Sequence, residues 1–270
     1  MDSLIAMSSQ RASLASVDGM ILAAADATIP ATDEGLLRGD GVFEVIRVYG
    51  GRAYALEAHL QRLQRSAANL RLAIDVESVR ADAERLLARA GTAPGHDMLR
   101  IVLTRGGRRL LLTEPVPPTR DRIRLASITY SPTRVLDGVK SLSYGANILA
   151  SRLARERGFD DALLVTPHGR VLEAPTSTIF WIKRGSILTP PLADHILASI
   201  TRATIIELTG ARESPCTLAD LADADEAFLA STVREVQPVA AIDSHTFDGG
   251  PLTAHIAARI ASHIRSELGA

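Results

Sequence analysis

The chain has 270 residues, 46% of them hydrophobic and 23% charged, with a net charge of −1. That length buries a proper core as one large domain or two smaller ones. No basic stripe supports a nucleic-acid role, and no apolar run reaches the roughly 18 residues of a membrane span. Cys216 is the one cysteine, so no internal disulfide is possible and a reducing, cytoplasmic setting is expected. The opening, MDSLIAMSSQRASLAS, has no charged stretch leading into a long apolar run. No secretory leader is expected there, and the first dozen residues read as a loose tail.

In chain order, Met20–Ala23 and Gly41–Tyr49 read as strands, the second ending at a Gly50-Gly51 turn across which Tyr54–Leu56 pairs back. Apolar residues at three- and four-residue spacing (Leu60, Leu63, Ala67, Leu70) predict a helix over Glu57–Leu72. A second helix spans Glu77–Ala90 and stops at Gly91. Met98–Thr104 is a strand. Gly106–Arg120 holds three prolines and several arginines, so it reads as a connection, dividing the chain into a small domain, 1–117, and a larger one, 118–270.

Beyond it, Arg122–Tyr130 returns to a strand pattern, and a helix from Tyr144 to Arg157 closes at Gly158. Ala162–Thr166, Arg170–Glu173 and Thr178–Ile182 read as strands, and WIKRGSIL as strand, turn, strand. Helices over Thr201–Thr209 and Thr217–Leu221, a strand over Glu226–Ala230 and a helix over Pro251–Leu268 complete the chain. The last helix sets Ile256, Ile260, Ile264 and Leu268 on one stripe. The class is α+β in two parts, without regular βαβ alternation.

Of the 30 cationic side chains, all but Lys140 and Lys183 are arginine. Lys183 lies near a turn, but Lys140 precedes a helix, where an arginine would serve a surface role equally well. An amine differs from a guanidinium in one respect that matters: it can lose its proton and attack a carbonyl. The surroundings of Lys140 suit an aldehyde cofactor. Glu173 supplies the carboxylate that a pyridinium nitrogen needs. Tyr144 lies one helical turn on and could hydrogen-bond a ring oxygen. Ser199-Ile200-Thr201 opens a helix, where N–H groups and the dipole favour a phosphate. Ser231-Thr232 follows a strand with two hydroxyls and turn amides, and Arg62 could add a charge-assisted bond.

Seven segments in order, RGDGVFE, HLQRL, KSLSY, GFDDALLV, VLEAPTSTIF, SITR and STVREVQPV, resemble the class IV, fold type IV, pyridoxal 5′-phosphate-dependent aminotransferases. That family includes branched-chain and D-amino-acid aminotransferases and aminodeoxychorismate lyases. The resemblance covers roughly residues 18 to 245 and implies a two-domain α+β fold, with a small N-terminal α/β domain and a larger β-barrel-like domain with flanking helices. It implies that Lys140 forms the aldimine and moves the proton between the substrate α-carbon and cofactor C4′. Glu173 would bind the pyridine nitrogen and Tyr144 the ring oxygen. Arg62, Ile200, Thr201 and Thr232 would bind phosphate, with Ser199 and Ser231 beside them. It also implies a homodimer acting on an amino acid and a 2-oxo acid.

The chain departs from the family pattern at Thr178, where asparagine is usual, at Ser199, where glycine is usual, and at Arg38, where an aromatic residue lines the substrate pocket. The connection over Gly106–Arg120 is also short for the family, which would leave the small domain one strand poorer. Arg38, Arg47 and Arg109 are candidates for the substrate carboxylate, with Arg100 and Arg105 behind them. The seven histidines have no metal-ligand spacing, so no metal is expected. Three rival readings stand beside the transaminase: aminodeoxychorismate lyase, a hydrolase using Ser141 or Ser143 with Lys140, and a non-catalytic binding protein.

Overall fold

The computed structural model describes residues 13–269, so the expected loose tail lies outside the described residues. The chain divides into two compact units: residues up to 118 with 139–143, and 119–138 with residues from 144 onward.

The first unit opens on a hairpin, β1 (Leu14–Val17) and β2 (Met20–Ala23). Asp18 and Gly19 make its two-residue turn with φ of 51° and 93°, the doubly left-handed geometry that an Asp-Gly pair favours. Helix α1 (Glu34–Arg38) starts under the Asp33 carboxylate, which accepts the Gly35 amide at 2.8 Å, and stops at Gly39, φ 68°. The long strand β3 (Gly41–Tyr49) follows, then the short β4 (Arg52–Ala53). Here the expected pairing of Tyr54–Leu56 is corrected in part. The strand that returns is Arg52–Ala53, opposite Tyr49 and Val48; the Tyr54 amide extends it by donating to the Arg47 carbonyl at 2.9 Å, and Leu56 already begins a helix. Gly50 and Gly51 both take positive φ, so the loop is only two residues long. Helices α2 (Leu56–Asn69) and α3 (Val76–Ala90) come next, the latter capped by Asp75 and closed at Gly91.

Strands β5 (Met98–Thr104) and β6 (Arg109–Glu114) complete a six-stranded sheet of order β2-β1-β6-β5-β3-β4. The segment expected as a connection is thus in part an inner strand, and the small unit is not short of one. Leu111 and Thr113 point into the core while their neighbours do not. Arg100 and Glu114 pair across the ladder through two bonds of 2.7 and 2.9 Å. Proline-rich chain begins only after Glu114. Leu60, Leu63, Val79 and Leu86 of the two helices are fully buried with Ile46, Leu99 and Ile101 of the sheet. Gly41 shows how tightly this sheet closes: a Cβ there would lie 2.3 Å from the Leu103 carbonyl oxygen and 2.7 Å from a Leu142 methyl. Gly41→Ala is therefore expected to cost about 1–3 kcal/mol through overpacking, measured as a lowered midpoint in chemical unfolding.

The second unit is built on β7 (Ile123–Thr129), helix α4 (Gly145–Glu156) and β8 (Asp161–Val165), in which β7 and β8 run parallel. The chain then runs back along β8, with the Leu172 amide donating to the Leu164 carbonyl and the Leu164 amide to the Glu173 carbonyl, each at 2.9 Å. Only a single bridge, Val165 to Val171, joins them. The expected strand Arg170–Glu173 is corrected to this irregular return, which keeps one register from Thr166–Arg170 to Leu164–Leu172 and slips by one residue at Glu173, whose carbonyl takes the Leu164 amide.

Strands β9 (Thr178–Lys183) and β10 (Ser186–Thr189) form a hairpin. Helix α5 (Ile200–Thr209), β11 (Arg212–Glu213) and helix α6 (Leu218–Ala222) follow. Then come β12 (Glu226–Ser231), β13 (Glu235–Ile242), β14 (His245–Thr246) and helix α7 (Pro251–Leu268). The sheet order is β11-β10-β9-β12-β13-β7-β8, with β14 beside β13. All four residues of the expected α7 stripe are buried. Glycine 250 offers α7 no side-chain cap, and Glu226 supplies it from β12: its carboxylate accepts the Leu252 amide at 3.2 Å and the Thr253 amide at 2.8 Å.

Candidate active site

In the first unit the buried face of α2 is wider than its apolar stripe. His59, Arg62 and Ser66 are buried along with Leu60, Leu63 and Ala67. Polar groups inside a core must be paired, and their partner is Glu44, fully buried in the middle of β3. Arg62 clamps it with two parallel bonds, Nε to Oε1 and Nη2 to Oε2, both 2.7 Å, and His59 Nδ1 lies 2.8 Å from Oε2. Burial alone would raise the Glu44 carboxyl. The bonds from Arg62 and His59, with the Arg62 charge, outweigh it and hold the group at about 2. Burial pushes His59 below its ordinary value against the pull of Glu44. The imidazole is therefore neutral near pH 7 and donates from Nδ1 to the carboxylate.

Lys140 belongs to the same unit. Its main chain is fixed from both sides: its amide donates to Ser66 Oγ at 3.1 Å, and its carbonyl accepts the Phe43 amide at 3.1 Å. Its ammonium lies 4.4 Å from the centroid of the Phe43 ring. Ser66 is one helical turn past Arg62, so α2 and β3 bring the two candidate cofactor residues of this unit together.

The arginine candidates go elsewhere. Arg38 is exposed at the end of α1 and pairs with Glu34 at 2.6 Å. Arg109 pairs through Nε with the buried Asp82 at 2.9 Å, and Arg105 pairs with Asp40 at 2.5 Å. Arg100 is taken by Glu114. The Arg47 guanidinium lies 5.0 Å from the Tyr49 ring centroid. Ser141 makes a bridge to Val42, and Ser143 Oγ donates to the Gly39 carbonyl at 3.2 Å.

In the second unit, Tyr144 caps α4, and its hydroxyl donates to the Pro175 carbonyl. That carbonyl lies two residues past Glu173. The Glu173 Oε1 accepts the Leu197 amide at 3.2 Å, which ties the acid to the residues leading into Ser199. Ser199 caps α5 through the Arg202 amide, and Thr201 is buried in its first turn. Ile200 begins the helix. Ser231 Oγ accepts the Arg234 amide at 3.2 Å, closing the turn that carries Thr232 between β12 and β13. Glu173, Tyr144 and the approach to Ser199 thus meet around one loop, while Ser231 and Thr232 sit at the end of β12.

Ser177 Oγ and Thr178 Oγ1, on the same loop and strand, are buried without a hydrogen-bond partner among the described residues. Such hydroxyls are what a bound polar molecule satisfies. Two further residues join this loop without any sequence signal: Asn147 Nδ2 donates to the Pro175 carbonyl at 3.1 Å, and the Tyr130 hydroxyl donates to Asn147 Oδ1.

Among the described residues, no group of three or more His, Cys, Asp or Glu is placed to hold a metal ion, and no helix is long and apolar enough to cross a membrane. Cys216 is buried, and burial pushes its thiol up to about 12. It is expected to react with a thiol reagent at pH 8 only after unfolding, as counted by released chromophore.

Comparison with known proteins places these groups in context. Residues 41–242 match the model of the family described as amino-transferase class IV. A Methanocaldococcus jannaschii protein provisionally named branched-chain-amino-acid aminotransferase is 35% identical over 257 residues, covering 86% of this chain and 88% of its own. The D-alanine aminotransferase of Listeria innocua is 33% identical over 260 residues, covering 86% and 89%. Among solved structures, the pyridoxal-phosphate-bound form of a hypothetical aminotransferase from Mycobacterium tuberculosis superposes with a TM-score of 0.85 at 27% identity, covering 94% of this chain and 99% of that one.

Proposed function

The chain belongs to the class IV aminotransferases, fold type IV enzymes that use pyridoxal 5′-phosphate, and from that premise we propose that it moves an amino group between a D-amino acid or branched-chain amino acid and a 2-oxo acid. The observation that carries the reading is the pinning of Lys140, one of two lysines, at both its amide and its carbonyl with its amine against an aromatic face.

The donor set fits the cofactor: a fixed amine, a half-buried acid, a capped ten-residue helix start and buried unpartnered hydroxyls. When bound, pyridoxal phosphate supplies an aldehyde that condenses with amines and a ring that accepts an electron pair. Lys140 Nζ would hold the aldehyde carbon and, once released by the amino substrate, carry the proton between the substrate α-carbon and C4′. Glu173 would keep a proton on the ring nitrogen. Tyr144 would orient the ring oxygen. Arg62, with Ser199, Ile200 and Thr201 at the start of α5 and Ser231 and Thr232 after β12, would hold the phosphate. Arg109, bonded to the buried Asp82, is a poor candidate for the substrate carboxylate; Arg38, whose pair with Glu34 is solvent-exposed and worth little, and Arg47 carry that role in this reading.

A homodimer is part of the proposal, supported by the exposed apolar side chains Ile148, Leu149 and Leu153 on α4. A cytoplasmic setting is supported by the single, unpaired Cys216. The deciding experiment is a half-reaction screen with D-alanine, D-glutamate, L-leucine and L-valine, read as loss of the visible band of the loaded enzyme. Bleaching by one set and amine recovery with 2-oxoglutarate supports the proposal. Pyruvate release from aminodeoxychorismate without an amino acceptor, and no bleaching by any amino acid, would make it a lyase instead.

A further inference from the structure

The Pro175 carbonyl receives two donors. One is the Tyr144 hydroxyl; the other is Asn147 Nδ2, at 3.1 Å, from the first turn of α4. A carbonyl oxygen has two lone pairs, so both are engaged. The Asn147 amide is itself oriented at its other end, where Oδ1 accepts the Tyr130 hydroxyl at 3.5 Å. Tyr130 is half-buried, and its phenol is raised first by burial and then by the negative charge of Glu173. The network therefore surrounds the acid.

Pro175 lies in the tight turn that follows Glu173, closed by Ala174 and Ser177, whose amides and carbonyls bond each other at 2.8 and 3.3 Å. The upstream end is held by the Leu164 amide on the Glu173 carbonyl at 2.9 Å. The loop is thus gripped on both sides of the carboxylate: at Glu173 by β8 and at Pro175 by α4.

We propose that Asn147, braced by Tyr130, is a positioning residue that acts through Glu173: by holding the Pro175 carbonyl it fixes the carboxylate against the ring nitrogen of the cofactor. The proposal rests on the reading that Glu173 holds that nitrogen. Asn147 needs no contact with substrate or cofactor to do so. Tyr144 cannot replace it, because a phenol has one proton and a Tyr144 hydroxyl turned toward the cofactor ring oxygen as donor would leave Pro175. Asn147 keeps the loop in place whichever acceptor Tyr144 serves.

The test compares binding of pyridoxal 5′-phosphate with that of its 1-deaza analogue, which lacks the ring nitrogen, to the cofactor-stripped full chain by equilibrium dialysis. Asn147→Leu, close in size but without a donor, is expected to weaken pyridoxal phosphate roughly tenfold, as the loss of one well-placed charge-assisted bond does. It should leave the analogue within about twofold, within the range expected of a change that removes no contact to it. Equal weakening of both, or of neither, overturns the proposal and marks Asn147 as structural only. Glu173→Ala in the parent chain tests the underlying reading separately. It should abolish the preference for the nitrogen-bearing cofactor, and a preference that survives it sinks that reading whatever Asn147→Leu does. Should Asn147→Leu give no cooperative melt, Tyr130→Phe decides the matter. It removes only the hydroxyl on Oδ1 and should shift the same ratio in the same sense, and an unchanged ratio counts against the proposal.

Discussion

Lys140→Ala is expected to yield a folded, colourless protein in which transamination falls by about 10⁴-fold or more, since both the nucleophile and the proton carrier are lost. The fold is expected to survive because the bonds that anchor this residue, to Ser66 and Phe43, are made by its main chain and persist in alanine. The ring contact with Phe43 goes with the side chain, a loss of about 0.5–1 kcal/mol. Lys140→Arg separates charge from nucleophilicity. It keeps the cation over the ring, yet a guanidinium does not lose its proton at any working pH, so it should be as inactive as alanine. The measurements are the visible spectrum after addition of cofactor, its response to borohydride, and a single-turnover half-reaction. A coloured, borohydride-sensitive Lys140→Ala variant would remove the basis of the proposed chemistry.

Glu44→Gln should be the most damaging single substitution to stability. It leaves the buried Arg62 guanidinium facing a neutral amide with one acceptor oxygen where it had a carboxylate with two, and breaking a buried pair from one side costs about 3–5 kcal/mol. The same carboxylate sets an acid limb. Its folded value, about 2, lies below its ordinary 4.5, so its contribution is complete above pH 4.5 and disappears as pH falls toward 2. The difference of about 2.5 pH units corresponds to about 3 kcal/mol. His59, also lowered in the fold, acts in the same direction from its ordinary 6.5 downward, because the unfolded chain binds that proton first. Wild-type stability should thus decline with acidification from about pH 6.5 and steeply below 4.5, whereas Glu44→Gln should lose the steeper limb. Urea unfolding at pH 7, 5.5 and 4 reads both effects; parallel curves for the two proteins would contradict the assignment.

How much of this was legible in the sequence depends on the kind of signal. Strands with one buried face and clear flanking turns, such as Gly41–Tyr49 and Met98–Thr104, carry a local pattern and could be delimited from it. So could α7, whose stripe recurs every four residues. Arg109–Glu114 was hidden because its burial is set by position. It is an inner strand between β1 and β5, and its Arg109 is paired with Asp82, as Arg108 just before it is with Asp18, both distant in sequence. The partner of Met20–Ala23 was announced only by Asp18-Gly19. Arg170–Glu173 has strand composition, but the turn after Glu173 pulls it off the ladder.

Among site residues, Lys140 stood out by rarity and Glu173 by spacing. The Glu44–His59–Arg62 group did leave a trace: a glutamate inside an otherwise apolar strand, and a histidine and an arginine three apart on the inner side of α2. Asn147 left none, because a polar residue in a first helical turn is ordinary, and only the fold brings it to Pro175.

The division of the chain has a bearing on biogenesis. The five residues 139–143 complete a unit whose other strands all end by residue 118. During vectorial synthesis at the ribosome the N-terminal sheet must therefore wait, with the Gly41 carbonyl and the Phe43 amide without these partners, until the lysine-bearing segment has emerged. The earliest moment at which that unit can close is also the moment at which the backbone of Lys140 is set in place.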